Sequence, residues 1–274
     1  MNTGCRIFLV SFVALGLSWG AFVIAPAIQL GTQKQTSVLN SSEIYPEQRP
    51  GDATMGLQVY RRAGCAACHT MQLQQDGVQC DVVITGMGKT PGAVSNLLSS
   101  LSLKSLDKDD AQSASDQITA AGGKTEIHIV PTGGDVARGW GSRHSVSEDF
   151  LWDYPVQLGS VRMGPDLADV GSRLGSFSWQ LEHLYAPQAV TKNSTMPPFR
   201  YLFVVQKPVN GVPSPDALQL PAQFAPPAGY EVVPTMAAKK LAAYLLSLHA
   251  NVPLHDAPFT MASAAPAKSQ AKKQ

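Results

Sequence analysis

Charge is scarce in this sequence. Asp, Glu, Lys and Arg make up 15% of the 274 residues, and the formal net charge is +1. Nucleic-acid binders carry a concentrated basic face, so no nucleic-acid partner is expected. Apolar residues at 44% exclude a disordered or fibrous chain and fit a globular protein with a hydrophobic segment and uncharged loops. Cysteine is scarce too. Of the four, Cys5 and Cys80 stand alone and only Cys65 and Cys68 are close, which argues against a disulfide framework. Nor does a second Cys/His pair occur at the spacing a zinc site needs.

Charge disappears entirely from Ile7 to Leu30, between Arg6 and Lys34. A membrane-spanning helix needs about 20 apolar residues, so this stretch is long enough. A cleaved signal peptide would have a shorter core, roughly 7–15 residues, and a small-residue cleavage site. No Ala-x-Ala follows, so residues 1–33 are taken as an uncleaved anchor in contact with membrane lipid. Residues 34–50 are polar and without helical period, as a linker is.

Beyond the linker a short helix is expected from about Asp52 to Gly64. Residues 76–137 change character: VQCDVVITGM reads as a strand and TPGAVSNLLSSLS as a helix start. SLDKDDAQSASDQITAAGG reads as a second helix, and KTEIHIVPT alternates like a strand. This is a small α/β insertion. From Arg138 to Leu202 only one helix is clear, near Trp179–Tyr185, and residues 203–233 read as a Pro-rich loop. Thr235–His249 is an amphipathic helix with Leu241, Tyr244, Leu245 and Leu248 on its apolar side. Residues 251–274, rich in Ala, Pro and Lys, are expected to form a disordered tail.

The chemistry sits at Cys65-Ala-Ala-Cys68-His69. Cys-x-x-Cys-His is the signature of c-type haem attachment. Two thiols on one turn can add across the two vinyl groups of one porphyrin, and the adjacent histidine is then aimed at the iron. A thioredoxin-like redox pair would have no use for His69. One covalent haem c per chain is therefore expected, with His69 as a metal ligand. Attachment of this kind takes place outside the cytoplasm, so the anchor would run with its N-terminus inside. A thioether as sixth ligand would raise the reduction potential and close the iron. Met71 is too near the attachment site, Met87 lies in the insertion, Met261 in the tail, and Met236 opens the last helix. Met196, in the rigid loop Ser194-Thr-Met-Pro-Pro198, is the candidate; Met163 competes, and His144, His183 and His249 are alternatives.

Several motifs carry a family resemblance. Gly56 and Tyr60 before the haem motif, Gly164-Pro-Asp-Leu followed by Gly171-Ser-Arg173, the Met-Pro loop and a closing helix with Tyr244 resemble class I cytochrome c. The fold class implied is mainly α: an N-terminal transmembrane helix and a class I cytochrome c domain over 51–75 and 138–250, interrupted by the α/β unit. In that fold the Pro165 carbonyl would accept the Nδ1 proton of His69. Arg173 would approach a haem propionate. The runs Arg138-Gly-Trp-Gly-Ser-Arg143, Tyr154–Arg173, His183-Leu-Tyr-Ala-Pro187 and Ser194–Pro198 resemble, more narrowly, the mono-haem subunit of cbb3-type cytochrome c oxidase. The departure is the insertion, where the family has a short stretch.

That resemblance implies a relay in a bacterial inner membrane, with the haem domain on the periplasmic side. Its partners would be the catalytic haem-copper oxidase subunit and, as donor, a second c-type cytochrome subunit or a soluble cytochrome c. No substrate-converting site would lie in this chain. A cytochrome subunit of nitric oxide reductase or of a dehydrogenase, or an open-iron haem enzyme or sensor, are the alternatives.

Overall fold

The computed structural model describes residues 2–32, 34–88 and 91–261. The chain opens with α1 (Thr3–Trp19), which continues through a wider π turn at Gly20–Ile24 into α2 (Ala25–Gly31). Thr3–Gln29 is long and apolar enough to cross a membrane, and none of its most apolar window is buried within the protein. A run of exposed Phe, Leu, Val and Ile side chains with no protein cover needs lipid or a partner around it.

The described residues are mainly helical. The central packing is between α3 (Gly51–Ala63) and α10 (Met236–Leu246). α10 is capped by Thr235, whose side chain accepts from the Ala238 N–H. α3 ends at Gly64, whose left-handed φ of 73° reverses the chain into the cysteine turn. Tyr60 and Tyr244, both fully buried, meet edge to face at the crossing with ring centroids 5.4 Å apart. Leu57, Leu181, Leu184, Tyr185, Leu241 and Leu245 complete this core.

A second, separate core belongs to the unit formed by β3 (Gly77–Gly86), α4 (Pro91–Leu98), α5 (Lys108–Ala120) and β4 (Lys124–Thr132). β3 and β4 pair antiparallel, with Cys80 opposite Ile129 and Val82 opposite Ile127. Alternate residues Cys80 and Val82 face Val94, Ala111, Ala114 and Ile118 of the helices. Asp107 caps α5 by accepting from the Asp110 N–H at 2.8 Å.

The unit leaves and rejoins the chain at one point. The Asp76 N–H donates to the Thr132 carbonyl at 2.8 Å, and a Cβ on Gly133 would lie 3.2 Å from the Cα of Gln75. The two ends of the unit, at Gln75–Asp76 and Thr132–Gly133, therefore lie side by side. Excising residues 76–132 is therefore expected to leave covalent haem incorporation intact, read by haem staining of denatured chain. A variant that is well expressed but carries no haem would show the unit to be part of the haem-binding core.

Three stretches differ from expectation. Residues 34–50 are not a free linker: β1 (Thr36–Ser37) and β2 (Ile44–Tyr45) pair, and Val38 and Tyr45 are buried against Val146, Leu254 and Ala257. Residues 251–261 are correspondingly not a disordered tail, because Leu254 and Ala257 supply the other half of that small core. Thr260 also exchanges two hydrogen bonds with the main chain of Ile129. The rest of the expected tail, 262–274, lies outside the described residues. The Pro-rich loop 203–233 is closed at its ends by β5 (Phe203–Gln206) paired antiparallel with β6 (Glu231–Pro234). Glu231 is buried between them, accepting from Gln206 and from the Ser214 N–H.

The remaining helices are short: α6 (Gly134–Ala137), α7 (Val170–Arg173), α8 (Phe177–Tyr185) and α9 (Pro187–Val190). α8 carries a Ser176 cap and packs on α10.

Candidate functional site

Directly after Gly64 the chain makes a 3-10 turn over Cys65–Ala67, and the His69 N–H donates to the Cys65 carbonyl at 3.0 Å. The turn sets both sulfurs and the imidazole on one short segment. Cys65 and Cys68 are both free thiols. Burial pushes the Cys65 thiol up to about 11. Redox-active Cys-x-x-Cys pairs depend on a lowered thiol pKa, so this environment runs against disulfide chemistry.

A second loop meets the turn from residues 158–167. The Met163 and Gly164 N–H groups both donate to the Cys68 carbonyl at 3.0 Å, and the Met71 N–H donates to the Leu158 carbonyl. Gly164 lies flat against the imidazole: a Cβ there would sit 2.2 Å from His69 Cε1. His69 Nδ1 lies 2.8 Å from the Pro165 carbonyl oxygen. A carbonyl only accepts, so Nδ1 carries the proton and Nε2 presents a bare lone pair. Such a histidine is a preformed ligand with its tautomer fixed.

Asp166, fully buried, continues the clamp by accepting from Thr70 Oγ1 at 2.6 Å and from the Gln72 and Ala168 N–H groups. Arg173 donates from Nη2 to the Asp166 carbonyl at 2.7 Å, while its buried Nε has no partner among the described residues. Burial lowers its pKa. Arg173 borders a shallow cavity shared with Ile129, Gly141 and Phe259.

Of the residues expected at the site, Cys65, Cys68, His69 and Pro165 come together in one constellation. Met196 is half-buried against the main core, its N–H donating to Ser194 Oγ, and Arg173 is held by Asp166. No hydrogen bond joins either of them to His69 among the described residues. Met163 is on the attachment side: its sulfur is 3.9 Å from that of Cys68.

His183, read from the sequence only as an alternative ligand, stands out. Its ring stacks on Trp179 at 4.7 Å, and its buried Nδ1 makes no hydrogen bond within the geometric limits among the described residues. Burial pushes it down to about 4, and the His69 imidazole adds to the shift. The two imidazoles are therefore close enough to feel each other's charge. A position on the inner face of α8 was the available signal.

These residues fit a haem. Two free thiols, an imidazole with an oriented lone pair and a glycine that lets the loop close onto that imidazole are the groups a covalently held porphyrin needs. A haem so held would supply one-electron transfer. No curated protein matches the chain. Residues 128–244, which carry the His69-facing loop, Arg173, His183 and Met196, match the family model described as cytochrome c oxidase, mono-heme subunit/FixO, and over that stretch the chain is FixO-like, as its motifs led us to expect.

Proposed function

We propose that this chain is the membrane-anchored mono-haem cytochrome c subunit of a cbb3-type oxygen reductase, passing single electrons towards the catalytic haem-copper subunit. In this reading Cys65 and Cys68 hold haem c covalently, and His69 and Met196 are the metal ligands. Pro165 orients His69 and Arg173 approaches a propionate. The anchor spans a bacterial inner membrane once, with the haem domain on the periplasmic side. A second c-type cytochrome subunit or a soluble cytochrome c is the donor.

One observation carries the reading: the Nδ1 proton of His69 is committed to Pro165 at 2.8 Å, leaving Nε2 free beside two free thiols. A carbonyl on Nδ1 strengthens the imidazole as a donor and fixes its plane. The two main-chain hydrogen bonds from Met163 and Gly164 to the Cys68 carbonyl limit ligand movement between oxidation states, which suits a relay. The loop that supplies Pro165 falls within the family match.

The test is purification of the C-terminally tagged chain from gently solubilised membranes, followed by a reduced-minus-oxidised spectrum. Haem c together with haem b and oxygen consumption is the expected result. Haem c alone, one per chain, would point to a different acceptor. A chain with no covalent haem would sink the cytochrome reading.

A further inference from the structure

The loop that faces His69 is held by a charge pair reaching across from the end of the α/β unit. Asp135 opens α6 and is 3% exposed. Its Oδ2 accepts from the Gln74 N–H and its Oδ1 from Arg162 Nη1, both at 2.8 Å. Arg162 also donates from Nε to Thr70 Oγ1 at 3.0 Å and from Nη2 to the Gln72 carbonyl at 2.5 Å. Thr70 Oγ1 donates a hydrogen bond to Asp166, which accepts from the Gln72 N–H as well. Arg162 and Arg138 both lie over the Trp140 ring, at 5.8 and 5.1 Å. Segments 70–74 and 162–166 are thus fastened by one guanidinium between two buried carboxylates. The last link in that fastening is the His69–Pro165 hydrogen bond.

We propose that Asp135 and Arg162 are positioning residues for His69: they pin loop 162–165 so that the Pro165 carbonyl stays on Nδ1, and thereby set the donor strength of Nε2. The proposal rests on His69 being the haem ligand. A guanidinium with three acceptors in fixed directions is a geometric device as well as a charge, and a lysine cannot reproduce it. A firm hydrogen bond on Nδ1 makes the imidazole more basic and favours the oxidised iron. Slackening it raises the reduction potential.

Arg162 separates this from simple electrostatics because the two effects have opposite signs. Removing a nearby cation acts through space to lower the potential, whereas freeing the loop raises it. Arg162→Lys keeps the charge and loses the fork, so only the positioning effect moves its potential.

The experiment uses the full chain in detergent, with wild type, Arg162→Lys, Arg162→Gln and Asp135→Asn compared. Redox titration is combined with haem staining of denatured chain and with NMR exchange of the His69 Nδ1 proton. An upward shift in Arg162→Lys, a potential for Arg162→Gln below that of Arg162→Lys, and faster Nδ1 proton exchange with covalent haem retained in all three variants are expected. Should Arg162→Gln fail to take up haem, Arg162→Lys carries the same test. An unchanged potential and exchange rate in Arg162→Lys overturns the proposal. Wild-type chain without covalent haem would instead remove the His69 reading on which it rests.

Discussion

Replacing Met196 by alanine is expected to lower the reduction potential sharply and to open the iron to carbon monoxide. The expectation follows from where the other methionines lie. Met163, the closest competitor, has its sulfur 3.9 Å from Cys68 Sγ and its N–H on the Cys68 carbonyl. That places it beside the Cys65–His69 turn, in the loop whose Pro165 carbonyl already meets His69. Met71 is 1% exposed, with its sulfur against the Tyr244 hydroxyl. Met236 and Met261 are 60% and 56% exposed, and Met87 belongs to the α/β unit.

Met196 alone combines partial burial against the main core with a loop stiffened by two prolines. Axial ligands span roughly 0.8 V of haem potential, and a thioether lies towards the positive end. Loss of the sulfur should therefore move the potential by a substantial part of that range. It should also abolish the weak long-wavelength absorption that marks methionine ligation. Met163→Ala is the control and should alter neither. If Met163→Ala produces these changes and Met196→Ala does not, the sixth ligand has been misassigned.

The Cys65–His69 turn was legible because its three groups lie within five residues, and no tertiary partner is needed to see it. Pro165 was legible only through the family's Gly-Pro motif, since His69 is far from it in the chain. Arg162 was not legible at all. Its acceptors are Thr70, Gln72 and Asp135, brought together by folding across the whole α/β unit.

The same cause hid the strand pair. β5 and β6 meet across a long loop with no tight turn to announce them, and Val204 and Val205 alone carry little period. Residues 34–50 and 251–261 were misread because each half contributes few apolar residues. Val38 and Tyr45 bury nothing until Leu254 and Ala257 arrive. Buried charge ties that strap down: Arg143, fully buried, donates to both Asp149 oxygens, and the Tyr45 hydroxyl lies within hydrogen-bond distance of Asp149 Oδ1 and the His249 carbonyl.

Gly56→Ala should destabilise the protein by about 2–3 kcal/mol, although the same change in an ordinary helix interior stabilises by roughly 0.5–1 kcal/mol. A Cβ at position 56 would lie 2.0 Å from the Lys240 carbonyl oxygen and 2.6 Å from Tyr244 Cβ. The first of these is main chain in the middle of α10, so no rotamer change relieves it. α3 and α10 must separate instead. Separation opens the Tyr60–Tyr244 contact and loosens Tyr244 from Met71 and from Asp153, which its hydroxyl approaches at 3.6 and 3.5 Å. Because α3 runs into Gly64 and Cys65, the displacement also reaches the attachment turn. Urea unfolding of the variant should show a lower midpoint with an unchanged slope. Haem yield per chain should fall with it. A midpoint at or above that of the unsubstituted chain would mean that the two helices do not cross this closely.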